Sequence, residues 1–504
     1  MSALRRCGAE HILKNVTFRA SLKFIKMAFV SVLKKYNRSF WIANTIELFE
    51  RWAWYGFFML FANYLTGSAD MGGLEFSQEQ KGLIMGIGTG ILYFLPVITG
   101  SIADKYGYKR VLFIAFVVYT SAFILLPHFN TFTGVFVMYL YLALGAALFK
   151  PIISATIAKT TNDETASIGF GIFYMMVNIG AFFGPLVTLI YKGQSELIFY
   201  ISAGIVALNF ILLIFYKEPD RVANTDSIWE SIGKVFTNIV LVVKDFKFLL
   251  FLVIVAGFWT MYNQLFFTLP VFIAQWVDTS AVYNFFHQYL PFFSENYGIA
   301  ETGQMEAEFI TNFDAMFIII FQIIVSTVVM KWRPLRSMMT GFLVCAIGMA
   351  LTLATQNVLF TLVAIYVFAI GEMAGSPKIT EYIGRIAPAD KKALYMGYSF
   401  IPVFLGNVFA GIISGNVYGG MSDKNVFVKQ EVAEKGIQLA DGLTQNEYFT
   451  AAAQKMGMTP AELTNLLWDK YNPSQIWMVI LVIGLAAVVA LFLYDKFVMK
   501  GKRQ

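Results

Sequence analysis

The chain is punctuated by apolar runs of about 20 residues, the length of helix that crosses the hydrocarbon core of a bilayer, and no other feature restricts its fold so tightly. The runs lie near 39–66, 81–102, 111–127, 132–157, 168–191, 196–216, 248–277, 312–330, 337–355, 358–384, 394–417 and 475–495, twelve in all. Lipid offers backbone polar groups no water to bond, so each run is expected as a helix and the chain as an all-α polytopic membrane protein. Only 14% of its residues are charged, against about 25% in soluble domains. Cys7 and Cys345 lie far apart, with no CxxC or Cys/His ligand spacing, so neither a disulfide framework nor a metal site is expected. His11, His128 and His287 fall outside the runs and no HExxH, GxSxG or P-loop pattern occurs, so neither an enzyme nor a bound cofactor is expected. The net charge of +6 implies no nucleic-acid partner, because the bases cluster between the runs, where they set topology.

Counting Lys and Arg on alternate sides of the runs gives 28 on the side of the two termini and seven, including Lys81, on the other. Positive-inside bias therefore places both termini in the cytoplasm. The chain divides into a basic cytoplasmic extension (1–38), a six-helix half (39–216), a cytoplasmic linker with an amphipathic pattern through Trp229 and Val235 (217–247), a second six-helix half (248–497) and a short tail (498–504). Residues 1–38 show no apolar core followed by a cleavage site, and read either as a membrane-surface helix or as an extension upstream of a start at Met27. Two polar outside insertions, 278–311 and 418–474, interrupt the second half; the first holds five acids and no Lys or Arg. The absence of a targeting peptide and the short loops favour a bacterial inner membrane.

Ionisable residues inside the runs carry the most information, because each costs about 2.5–3.5 kcal/mol to insert and needs a partner or a wet cavity. Span one contains Glu47-Leu-Phe-Glu50-Arg51-Trp-Ala-Trp-Tyr55-Gly56, and spacings of three and four put Glu47, Glu50 and Arg51 on one face, with Glu47 and Arg51 in the favourable order for an ion pair. Two carboxylates beside one guanidinium leave an excess negative charge that favours proton uptake. Lys150 lies deep in span four and Glu372 deep in span ten, in opposite halves, and both are expected to face a central cavity; Asp314 near the outer end of span eight lies in the cavity or at its rim.

A six-plus-six layout with a central linker resembles the major facilitator superfamily, whose fold is then expected. The connection Gly100-Ser-Ile-Ala-Asp104-Lys-Tyr-Gly107-Tyr-Lys-Arg110 resembles that superfamily's signature loop. In it the glycines allow a tight reversal, and Asp104 is placed to accept from a helix N-terminus or a basic partner. More narrowly, Glu47-x-x-Glu50-Arg51 with Tyr55-Gly56, Lys150-Pro151, Phe173-Tyr174-Met-Met-Val-Asn178-Ile-Gly180, and Gly371-Glu372 with Ser376-Pro377 resemble the proton-dependent oligopeptide transporters. The resemblance implies that Glu47, Glu50 and Arg51 couple transport to protons and that Lys150 with Arg51 meets a peptide carboxylate. It implies too that Glu372 and Asn178 receive the peptide amino group, while Tyr55, Tyr93 and Trp259 line the cavity.

The departures from that family are specific. Phe58 stands where the family has an arginine, and Trp259-Thr-Met-Tyr262-Asn263-Gln264 lacks the family's span-seven acid, so both ends of an outer gate bridge are missing together. Closure must then use other contacts. Asp314 replaces an asparagine and can hold an amine or titrate, and Trp54 replaces a tyrosine. The function expected is a proton-driven symporter that imports short peptides by alternating access, as a monomer, with the proton gradient in place of a cofactor. Alternatives are the same fold carrying another charged or amphoteric solute, and a non-transporting receptor or sensor. The complete charged set argues against the last, since a sensor needs no proton site.

Overall fold

The computed structural model describes residues 33–499 except 163–164, 193, 221–228, 231–232, 235–236, 238–243, 353–354 and 389–391. The expected extension up to residue 32, most of the linker and the tail beyond 499 lie outside the described residues. Among the described residues, ten helices or helix runs are long and apolar enough to cross a bilayer, and the pair Gln78–Phe94 and Pro96–Tyr106, bent by 42°, makes an eleventh if it is one span. Pro96 supplies no N–H at that break, and its fixed φ suits the first position of the second segment. Arg38–Thr66, 29 residues long, is too crowded with charge to join that set by composition and is counted as span one because it packs along Ala166–Leu189 and Ser195–Phe215; Asn37 caps it by accepting from the Phe40 amide.

The other spans run Tyr108–Leu125, Phe132–Lys159, Ala166–Leu189 and Ser195–Phe215 in the first half. In the second half span seven is broken into Phe246–Tyr262, Gln264–Phe267 and Leu269–Trp276, followed by Phe313–Val329, Pro334–Leu351 and Val358–Ile386. Span eleven runs through Ile401–Ile412 and the π-helical turn Ile413–Val417, and Gln475–Leu493 is span twelve. Span eight starts earlier than its apolar run suggested, because Ala307–Thr311 is already helical. Twelve alternating spans place both described chain ends on one face of the bundle, called the terminal face below. The opposite face, called distal, carries the turns near 67–77 and 190–194 and both insertions.

The insertions have structure of their own. The first holds helices Ser280–Tyr289 and Pro291–Tyr297 and an antiparallel ribbon pairing Gly298 with Met305 and Ile299 with Gln304, a small exception to the all-α expectation. In the second, helices Lys424–Glu434, Gln445–Lys455 and Pro460–Tyr471 begin at capped turns, with reciprocal capping boxes at Thr444/Glu447 and Thr459/Glu462. This trio packs on the distal end of span seven, Trp468 at 5.9 Å and Phe427 at 6.3 Å from Trp276, and is held together by Phe427 stacked on Tyr471 at 4.4 Å.

The two halves meet most closely where span two crosses span eleven. A Cβ on Gly82 would fall 2.2 Å from the Gly411 carbonyl oxygen, and one on Gly86 2.8 Å from the Gly411 Cα. Only glycine lets two helix backbones approach so closely.

Candidate functional site

Span one builds the first cluster. Arg51 donates to both oxygens of Glu50, at 2.5 Å from Nε and 2.7 Å from Nη2, while Glu47 stands off at 3.4 Å. The helix spacing pointed to Glu47 as the main partner; the adjacent Glu50 takes that place, because the planar guanidinium matches a carboxylate with two parallel bonds. Tyr119 from span three donates a third bond to Glu50 at 2.9 Å. Glu50 is fully buried and Glu47 and Arg51 nearly so. Gly180 on span five explains its place in the motif, since a Cβ there would come within 2.7 Å of the Arg51 Cβ.

Beyond this triad the remaining charges are less well matched. Lys150 holds its ammonium 4.2 Å from the centre of the Tyr93 ring and has no carboxylate within salt-bridge distance among the described residues. In the second half Tyr262 donates to Glu372 Oε1 at 2.9 Å, and Glu372 Oε2 has no hydrogen-bond partner among the described residues. Asp314 is buried, and its Oδ1 is likewise unmatched. Tyr55 stands between Arg51, 5.8 Å from the guanidinium carbon to its ring, and Phe266 of span seven at 6.5 Å. Trp259 is half-buried and packs edge-on to Tyr262 at 4.9 Å. Asn178 turns its amide to its own helix, donating to Tyr174 O at 2.8 Å.

The signature loop departs from expectation at one point. Gly107 takes φ 99°, a conformation that requires glycine, and Gly100 packs beside Pro151. Asp104 accepts from the Tyr108 hydroxyl at 3.0 Å, but the helix start behind it is capped by Glu218, which accepts from the amides of Tyr108 at 2.9 Å and Lys109 at 3.3 Å. Arg110 is exposed. An acid 110 residues away thus fills the position at the positive end of the helix that the sequence offered to Asp104.

Hydrogen bonds between the halves gather at the distal face, through residues the sequence did not single out. Lys192, just past span five, bonds Glu306 and, at 2.9 Å, Glu308 of span eight. Asn63 of span one donates to Glu308 at 2.9 Å and to Pro270 O at 3.3 Å, and Asn312 donates to Phe182 O at 3.1 Å. Lys81, fully buried, donates to Phe267 O at 2.9 Å. The three-helix insertion adds a second contact: Glu75 accepts from the Gln445 amide at 2.8 Å, Ser68 from the Asn446 amide at 3.0 Å, and Asp70 from the Asn446 side chain at 3.1 Å. In the sequence Lys192, Glu306 and Glu308 read as loop charges; an acid inside an early helical turn of span eight was the signal available.

Residues 41–411 match the family model of the Major Facilitator Superfamily. A Na(+), Li(+), K(+)/H(+) antiporter of Planococcus maritimus is 23% identical over 380 residues, 72% of this chain and 85% of that protein. A peptide transporter of Yersinia enterocolitica is 28% identical over 221 residues, 39% of this chain and 42% of that one. Among solved structures, a POT family transporter in complex with 5-aminolevulinic acid superposes with a TM-score of 0.66 at 17% identity, covering 92% of this chain and 97% of that one. At that identity the likeness is one of fold.

Proposed function

The chain belongs to the major facilitator superfamily, and from that membership we propose a proton-coupled symporter that imports short peptides across a bacterial inner membrane, working as a monomer with both termini in the cytoplasm. The observation that carries this reading is the charge mismatch between the halves. Lys150 in one half has no carboxylate within salt-bridge distance among the described residues, and Glu372 in the other has an open oxygen, so an amphoteric solute laid between them neutralises both. In this reading Lys150 and Arg51 hold the peptide carboxylate, Glu372 with Asn178 and Asp314 receives the amino end, and Tyr55, Tyr93 and Trp259 form the walls. Glu47, Glu50 and Arg51 carry the proton, with Asp314 as a second carboxyl able to do so. Likeness of fold to a POT family transporter and partial identity to a peptide transporter support the cargo class.

A second reading keeps the fold and changes the cargo to another amphoteric solute, and a neighbouring fold that holds 5-aminolevulinic acid favours it. The receptor alternative draws no support from relatives named as transporters.

Uptake into proteoliposomes tests the proposal, using a dipeptide panel with and without an inward proton gradient. The expected result is accumulation above equilibrium only with the gradient, and weaker competition by peptides with a blocked amino terminus. Equal competition by blocked and free peptides sinks the peptide reading; gradient-independent uptake sinks the coupling.

A further inference from the structure

Counting charges around the cavity leads beyond a plain zwitterion. The first half contributes Glu47, Glu50, Arg51 and Lys150; the second contributes only acids, Asp314 and Glu372. Arg51 is taken up by Glu50 and Glu47, so the groups left without a salt-bridge partner among the described residues are one ammonium on one side and two carboxylates on the other. The two acids share one seam. A turn along span eight from Asp314, Ile318 packs against Ala369 and Met373, which bracket Glu372 on span ten. Helical rise then separates the two carboxyl positions by on the order of 8 Å in depth. Asp314 is only 6% exposed and has no hydrogen bond among the described residues, while Tyr262 already donates to one oxygen of Glu372.

A peptide with one carboxylate and one ammonium matches Lys150 and one of these acids. It leaves the other acid either bare in a low-dielectric site, which costs several kcal/mol, or obliged to take up a proton of its own. We infer that the cargo this cavity selects carries a second cationic group, with Asp314 as its receptor and Glu372 as that of the α-ammonium: a short peptide with a lysine-like or arginine-like side chain beside its amino end. Such a cargo brings a net charge of +1. With one coupling proton it cancels the excess of two negative charges that the four acids and two bases of the cavity leave. This inference rests on the peptide-transport reading for the identity of the cargo, but not for the cationic preference itself.

The test is competition binding to the purified full-length protein with lysyl-alanine, alanyl-alanine and glutamyl-alanine, and with free lysine and 1,4-diaminobutane as probes that are not peptides. Wild type is expected to prefer lysyl-alanine over alanyl-alanine by roughly tenfold or more, with glutamyl-alanine weakest. Asp314→Asn should collapse that ratio, and Asp314→Glu, which keeps the charge, should retain most of it; retention also answers any loss due to misfolding. Equal binding of lysyl-alanine and alanyl-alanine by wild type overturns the inference, as does a ratio that survives Asp314→Asn. If no peptide binds but lysine or diaminobutane binds in an Asp314-dependent way, the peptide reading fails and the dicationic preference stands. If none of the probes binds in that way, the preference fails too.

Discussion

The Lys192 ammonium lies 2.9 Å from Glu308 across the seam between the two halves, and Glu306 closes on the same nitrogen. This ionic cluster stands at the distal face, where Asn63 of span one joins it through Glu308. Truncating one partner of a buried pair strands the other, at about 3–5 kcal/mol. Lys192→Gln should therefore weaken closure of the distal face. Spin labels at Gln194 and Thr302 in a Cys-depleted background report the gap, and a longer distance component is expected in the variant. An unchanged distribution means that other contacts hold the mouth.

Glu306 gives the closure a pH dependence. Burial raises its carboxyl above the ordinary range against the pull of Lys192, and Glu308 adds to the rise. Opening the mouth returns Glu306 to water and to an ordinary value near about 4.3. The closed form thus binds the proton more tightly than the open one, so acid favours closure as pH falls through the raised value. The same spin-label pair should show a larger closed fraction at about pH 5 than at about pH 7.5, and Glu306→Gln should flatten the difference. A closed fraction that falls with acid contradicts the assignment.

The insertion is tied to the first half through Glu75, Ser68 and Asp70. If the halves part at this face during each cycle, these bonds must break each time. Cysteines at Asp70 and Asn446 joined by a short bifunctional thiol-reactive cross-linker should stop uptake, and a disulfide-containing cross-linker should restore it on reduction. Full cross-linking with undiminished uptake shows that the 67–77 turn and the insertion travel together.

Glu50 accepts three bonds, two from Arg51 and one from Tyr119. A cargo carboxylate that draws Arg51 away leaves Glu50 and Glu47 under-compensated, and protonating one relieves the repulsion. Glu50→Gln should abolish gradient-driven accumulation while sparing counterflow exchange, which needs only the loaded carrier to reorient. Uphill accumulation by the variant moves the proton site elsewhere, with Asp314→Asn the next variant to measure.

Local relationships were legible in the sequence and distant ones were not. The spans could be read because a bilayer imposes length and apolarity on each one separately. The span-one triad could be read because helical spacing brings its members together, although the fork of Arg51 chose the neighbour Glu50 over Glu47. Glu218 at the start of the helix Tyr108–Leu125 could not be read, since the cap comes from beyond three further spans. The distal cluster was hidden for the same reason. An acid such as Glu308 reads as loop until Lys192 and Asn63 are known to meet it, and that meeting exists only once the halves are assembled.

The crossing of spans two and eleven has a mechanical meaning. Gly82 and Gly86 on one side and Gly411 and Gly415 on the other leave bare backbone against bare backbone, with no side chain lodged between. Interdigitated side chains work like gear teeth and must be lifted out of register before anything turns. A smooth glycine contact behaves instead as an axle bearing. At these four glycines one half can tilt on the other without lifting side chains apart, and the resistance to motion is left to the polar fastenings at the rim and to Phe404 and Val408, which pack on Gly90 and Phe94 further along the same crossing.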